Sequence, residues 1–463
     1  MFRFFVFFAV LTAQISVFGV VYKVEMDEAD TDTLKILGTL DVLGARKENG
    51  KLVYIIHATP NEIIQLPGFA EITPLKMDLD FELSYPTIEE IDNRIAKIGA
   101  AGNGYASVFN IGNSIEGRNI KAVRISAIKE ATEETPEILF VGGTHAREWI
   151  SYEVPLAIAE FFVEYADSNP VINDIINNSV IWFIPALNPD GYVYSYEHNR
   201  MWRNNRREHP DGSFGVDLNR NYDSEWIEID FVHGTEPFSE PETRAVRDFI
   251  LDGEKFGVKT IDGLISYHSF GQMILYPPGS RMDPPENVEL YQTVGFNMAD
   301  LIFNECGEYY VTMQIKDLYM TYGEMTEWFM NISGNKLSYT FELRPTFHDV
   351  WGFRLPEEFI PDSIKENIPP AVYFIRHVIS GETFIEGDVN GDGIFDALEN
   401  TVYDYSECFV YEEEKEKIEP IEPIEDNDDN EEPDFSDDLI PEDDTDDTGS
   451  GQTKKSSGCS IIL

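Results

Sequence analysis

Glu137-Ile-Leu-Phe-Val-Gly-Gly-Thr-His145-Ala-Arg-Glu148-Trp-Ile-Ser151 is the stretch on which the reading of this chain turns. An apolar run of strand type stops at two glycines, which permit a sharp turn, and the chain then presents His145 and Glu148. A histidine and a carboxylate at this spacing, on a loop or a first helical turn, reach one metal ion from the same side. The spacing by itself is weak: with 8 histidines in the chain, roughly one His-x-x-Glu is expected by chance. His233 and Glu236 repeat it in a polar stretch with no strand leading in, and are expected at the surface. A catalytic zinc takes a third protein ligand and keeps a position for water. His268 supplies that ligand at the end of the apolar run 263–267. Two strands then end in a histidine, and in a parallel-rich sheet both ends fall on the same carboxyl edge, where ligands collect.

Working outward, His145-Ala-Arg147-Glu148-Trp149 is followed by Asn188-Pro-Asp-Gly191, Asn199-Arg-Met-Trp202-Arg203 and Val216-Asp-Leu-Asn219-Arg220-Asn221. Ser266-Tyr-His268-Ser269 and Thr340-Phe-Glu342-Leu-Arg344 complete the series. In this order, within residues 85–381, the chain resembles the pancreatic-type zinc carboxypeptidases of the A/B kind. The resemblance implies an α/β fold built on a mixed, mostly parallel eight-stranded sheet flanked by helices. It also implies one catalytic zinc on His145, Glu148 and His268, with peptide or protein C-termini as substrate.

Each role has a chemical reason. Zinc brings the pKa of a bound water down to about 7, and a base must take the proton. The resemblance assigns that step to Glu342, in the apolar strand 337–343, where burial raises a carboxyl pKa towards the working range. Pairing of Glu342 with Arg344 at a strand end is the structural alternative. Arg203 is placed to stabilise negative charge on the carbonyl oxygen. Arg220 binds the free carboxylate through its planar fork and Asn219 adds a neutral donor. Arg147 matches an outer substrate-binding arginine, and Tyr319 the tyrosine that closes over substrate, with Tyr322 a near competitor. The other arginines of 200–207 read as a solvated basic loop. Aligning Glu327-Trp328 with the family's Asp-Trp puts Thr326 in the side-chain pocket, and a neutral pocket favours apolar or broad preference. Glu324 nearby is either a source of negative charge or a surface residue.

The remainder reads as a secreted zymogen, with a lysosomal or vacuolar lumen as the alternative location. Residues 1–19 form a signal peptide too short for a membrane anchor. Residues 20–80 form a small α+β module, with strands at 20–25 and 52–58 and helices at 32–40 and 61–66. In this family such a module is an inhibitory propeptide, which requires an activating protease cutting near 77–86. Three cysteines are too few for a disulfide framework, so stability rests on a large core. Asn177 and Asn331 open glycosylation sequons. In segment 382–411, Asp388, Asn390, Asp392, Ile394, Asp396 and Glu399 match an EF-hand or dockerin-type calcium loop, with an acidic turn as the alternative. Residues 412–463 are too acidic and too poor in apolar residues to fold. The formal net charge of −51 argues against nucleic-acid binding, no segment spans a membrane, and a monomer is expected. Two other function classes fit parts of the chain: an inactive carboxypeptidase-like binding protein and a calcium-dependent adhesion or scaffold protein.

Overall fold

The computed structural model describes residues 20–26, 41–48, 51–58 and 71–74, the single positions 33, 36, 37, 40 and 66, and 85–383 apart from 101–103, 230 and 348–351. The signal segment, the calcium loop, the acidic tail and nearly all of the expected activation stretch lie outside the described residues.

At the N-terminal end, β1 (Val20–Met26), β2 (Asp41–Glu48), β3 (Lys51–Ala58) and β4 (Glu71–Pro74) form an antiparallel sheet in the order β2-β3-β1-β4. Only β1 and β3 were expected. The sequence of β2, Asp-Val-Leu-Gly-Ala-Arg-Lys-Glu, lacks the alternation that marks a half-buried strand. Glu48 pairs with Lys51, and the sequence signal for that hairpin is the Asn-Gly dipeptide before β3. Thr33, Ile36 and Leu37 are helical as expected, while the second expected helix is outside the described residues except for Leu66.

The larger sheet runs β11-β10-β12-β9-β7-β8-β6-β5, from β5 (Ala106–Asn113), β6 (Asn119–Ile125), β7 (Glu137–Val141), β8 (Val180–Ile184), β9 (Gly263–Ser269), β10 (Met273–Tyr276), β11 (Val311–Gln314) and β12 (Ser338–Leu343). The central four, β12, β9, β7 and β8, are parallel, as are β10 and β11, and the other pairings are antiparallel. This is the mixed eight-stranded sheet the resemblance implied.

Strand alternation divides the core in two. Ile138, Phe140, Ile181, Phe183, Tyr267, Tyr339 and Phe341 face one side. There they meet helices α1 (Ile88–Ala100), α2 (Ile150–Tyr165), α3 (Pro170–Asn178), α6 (Val288–Cys306) and α9 (Ile360–Ser380). Leu139, Val141, Trp182, Ile184 and Leu264 face the other side, packing on α5 (Pro241–Leu251) and α8 (Met325–Ile332). Two short helices, α4 (Pro189–Glu197) and α7 (Ile315–Leu318), lie beyond the strand ends. Because Tyr267 and Phe341 point into the first core, Ser266, His268, Thr340 and Glu342 point to the opposite face. That parity aims a metal ligand and an acid into the same space.

Candidate active site

The glycines after β7 are sterically required. A Cβ on Gly142 would lie 2.2 Å from the Ser151 carbonyl oxygen, and Gly143 has φ +66° with the Tyr152 ring 2.4 Å from where its Cβ would be. The start of α2 therefore packs directly on the strand end, which brings His145 and Glu148 back over the sheet edge. Ala146 N–H donates to the Arg203 carbonyl at 2.9 Å, tying this loop to the arginine segment. His268 reaches the same place from β9, one residue inside a strand that extends to Ser269. Glu342 is its register partner on β12.

His145, Glu148 and His268 are buried and their ligand atoms lie within 4.8 Å of one another. His145 Nδ1 is 2.7 Å from Glu148 Oε1, and His268 Nδ1 is 3.0 Å from His145 Nδ1 and 3.1 Å from Glu148 Oε2. The outer ring nitrogens have partners of their own. His145 Nε2 lies 3.2 Å from Asp217 Oδ1, and His268 Nε2 lies 3.0 Å from Ser266 Oγ. With the ring protons donated outward, both Nδ1 lone pairs and the carboxylate converge on one point, a donor set that fits zinc. Burial by itself would raise Glu148, but the two histidines hold it well below the usual carboxylate range.

Asp217 is the residue that sequence reasoning passed over. Its Oδ2 accepts from Arg203 Nε at 2.8 Å, and its Oδ1 accepts from Asn219 N–H at 2.9 Å as well as facing His145. One carboxylate thus orients a metal ligand, an arginine and the turn Leu218–Arg220. Burial opposes its charge, yet Arg203 and His145 keep it strongly ionised. The available signal was an acid inside a motif already singled out, since ligating histidines commonly donate to a carboxylate.

A cleft is lined by His145, Glu148, Arg203, Asn219, Arg220, His268, Tyr319 and Glu342, with Phe270, Phe347 and Phe353 among its apolar walls. Glu342 keeps part of its surface there. Desolvation, and then the charge of Glu148, push its carboxyl well above the ordinary range, against Arg203, Arg147 and Arg220. It is not paired with Arg344, whose guanidinium donates to Glu366 at 2.6 Å and leaves Glu342 to the cleft. Burial raises the Tyr319 hydroxyl and the Arg220 charge opposes that rise, and Tyr322 is not among the lining residues.

Two expectations need correction. His233 is buried, not on the surface: its Nδ1 lies 2.9 Å from the Ile227 carbonyl, and burial followed by Arg220 lowers its pKa to about 4. Glu236 is exposed, so the pair shares no site. The arginine segment is not a solvated loop. Arg200 stacks on Trp149 at 3.7 Å and donates to the carbonyls of Arg147 and Phe353. Arg206 lies 3.6 Å from the Tyr194 ring centroid, and Arg207 pairs with Glu240 at 2.9 Å. Arg147 is fully buried, with its guanidinium 4.1 Å from the Phe353 ring centroid. Thr326 is also fully buried; Glu324, close by, is 2% exposed and lines the cleft.

Known proteins are similar to this chain. Residues 91–369 match the family described as Zinc carboxypeptidase. Carboxypeptidase B of Astacus astacus is 31% identical over 311 residues, covering 64% of this chain and 99% of that protein. Carboxypeptidase A2 of Rattus norvegicus is 31% identical over 311 residues, 65% of this chain and 72% of its own. The crystal structure of carboxypeptidase A from Helicoverpa armigera superposes with a TM-score of 0.65 at 24% identity, over 79% of this chain and 98% of the other, a likeness of fold. With the match running from α1 into α9, across every strand that contributes to the cleft, the chain belongs to the zinc carboxypeptidase family.

Proposed function

We propose that the enzyme removes single residues from the free C-termini of peptides and proteins. The observation that carries this reading is the presence of Asn219 and Arg220 in the same cleft as the three metal ligands and Glu342. Zinc, when bound, supplies Lewis acidity to the scissile carbonyl and makes a water nucleophilic near neutral pH. Glu342 accepts the proton of that water and returns it to the leaving amine, roles that its raised pKa suits. Arg203, held by Asp217, faces the developing charge on the carbonyl oxygen. The Arg220 guanidinium takes the terminal carboxylate, and Tyr319, which lines the same cleft, covers it.

The direct test compares a peptide acid with its C-terminal amide. The acid should be trimmed one residue at a time and the amide should resist. Arg220→Ala should raise KM for the acid by about 100-fold, the effect of removing a charge-assisted partner. Equal cleavage of acid and amide would remove the basis for an exopeptidase. The same assay separates this reading from a cleft that grips C-termini without cutting, which gives binding and no product.

We further propose that the N-terminal module is an inhibitory propeptide of a secreted zymogen. What supports it is the packing of Tyr319 with Ile36 and Leu52 against the module's small core of Val24, Leu37, Tyr54 and Ile56. A substrate that needs Tyr319 must compete with that packing. Limited proteolysis of the 75–84 segment should therefore raise the rate on a peptide acid by about tenfold or more, as the competent fraction rises. Identical rates before and after the cut would leave the module without an inhibitory role.

A further inference from the structure

The outward face of α6 is not composed as a solvent face. Phe296 and Phe303, seven residues apart, fall on one stripe of the helix and are 51% and 39% exposed. The Tyr309 ring packs on Phe303 with 4.4 Å between centroids and is itself 72% exposed. Val311, at the start of the outermost strand β11, is 50% exposed. Single exposed apolar side chains need no explanation, but aromatic rings gathered along one helix face and onto the adjoining strand mark a surface that something covers.

The course of the chain past α9 identifies the cover. The family match stops at residue 369, yet the residues that follow the helix are still bonded to the body of the enzyme. Gly381, with φ +71°, turns the chain out of α9. His377 Nδ1 lies 2.8 Å from the Glu382 carbonyl oxygen, and the Thr383 carbonyl accepts from Tyr373 OH at 3.1 Å and from Asn297 Nδ2 at 3.2 Å. The same Asn297 amide donates to Tyr373 OH at 2.7 Å, so its place is fixed. Asn297 is the neighbour of Phe296 in α6. The chain is therefore delivered beside the first exposed phenylalanine, and its next two residues are Phe384 and Ile385. An extended residue advances about 3.3 Å, which brings that pair to Phe296 at once. Phe303 is about 10 Å further along the helix, within easy reach of the next apolar pair, Ile394-Phe395. We propose that residues 384–395 fold back over α6, with Phe384 and Ile385 on Phe296 and with Ile394 and Phe395 on Phe303 and Tyr309. Asp300, exposed in the same stripe, repels the Glu386 and Asp388 that pass over it, so apolar area holds the contact and charge does not.

The test uses the full chain with Phe296→Gln, with Phe384→Ser and Ile385→Ser together, and with all three changes. Glutamine suits a helix at least as well as phenylalanine, so on an uncovered face Phe296→Gln should leave Tm where it is. Under a cover, Phe296→Gln and the paired serine change should each lower Tm by about 2–4 °C. Their combination should lower it little further, because each removes one side of the same contact. Amide exchange over 384–395 should run at least about tenfold slower in the wild type than in Phe296→Gln. Phe296 does not line the cleft, and bound zinc, measured on every variant, identifies any that has not folded. Wild-type exchange over 384–395 at the rate of an unstructured peptide overturns this placement, and so do fully additive losses of stability. A dimer in sedimentation that Phe296→Gln dissolves, with 384–395 exchanging freely, would make a second copy of the chain the cover and would overturn it equally.

Discussion

Glu342→Gln is expected to lower kcat by about 10²–10⁴-fold, the range in which a positioned general base contributes, while zinc content and substrate affinity stay near wild type. The separation follows from where Glu342 stands. It is the register partner of the ligand His268 but is not one of the three converging groups. Glutamine keeps the shape but its amide is too weak a base to take up the proton. Desolvation and the Glu148 charge hold the wild-type carboxyl well above its ordinary pKa, with Arg203, Arg147 and Arg220 limiting the rise. A group with opposed influences of this size can take a proton and give it back. The check is single-turnover kinetics on a peptide acid, with binding measured separately, so that loss of chemistry is distinguished from loss of affinity. A variant within about tenfold of wild-type kcat would move the proton-transfer role to another group.

The parts of this site that could be read in the sequence are those carried by local pattern. His145 and Glu148 follow a strand and two glycines whose need is visible in the chain itself, and His268 closes a second apolar strand. Their convergence at one sheet edge follows from parallel strand order. What stayed hidden depends on burial and long-range pairing. Asp217 gains its importance from His145, 72 residues away, and no local pattern announces that contact. Arg200 is polar in sequence and would sit at a surface by composition, yet Trp149 and two backbone carbonyls give it a place inside. His233 is buried for a similar reason, with the Ile227 carbonyl as its partner. For Glu324 and Thr326 the difficulty was finer. Two residues at the start of one helix exchange roles, the hydroxyl serving as donor and the carboxylate facing the cleft. In the N-terminal module, β2 was missed because its residues do not alternate, although the Asn-Gly dipeptide before β3 is a hairpin signal in the sequence.

Removing zinc is expected to abolish hydrolysis and to destabilise the catalytic domain, with one equivalent of zinc restoring both. Three lone pairs converge within hydrogen-bonding distance, and the two Nδ1 atoms, 3.0 Å apart, need a shared cation or an extra proton to remain so. Without metal, the Glu148 carboxylate is balanced by the histidines if they protonate and by Arg203 at 3.5 Å. Protonating His268 there is opposed chiefly by burial, which lowers its pKa. Zinc removes that conflict, and free zinc a thousandfold above its Kd adds about 4 kcal/mol of stability. Asp217→Asn should weaken zinc binding by about 10–100-fold, because a neutral amide fixes the His145 tautomer less firmly than the carboxylate whose Oδ1 faces Nε2. His268→Ala removes a ligand outright and should leave no stoichiometric metal. Metal analysis beside thermal unfolding, with and without a chelator, checks all three. A wild-type domain that purifies without one equivalent of zinc, does not take it up, and melts at the same temperature in chelator would mean that the convergence of His145, Glu148 and His268 serves packing alone.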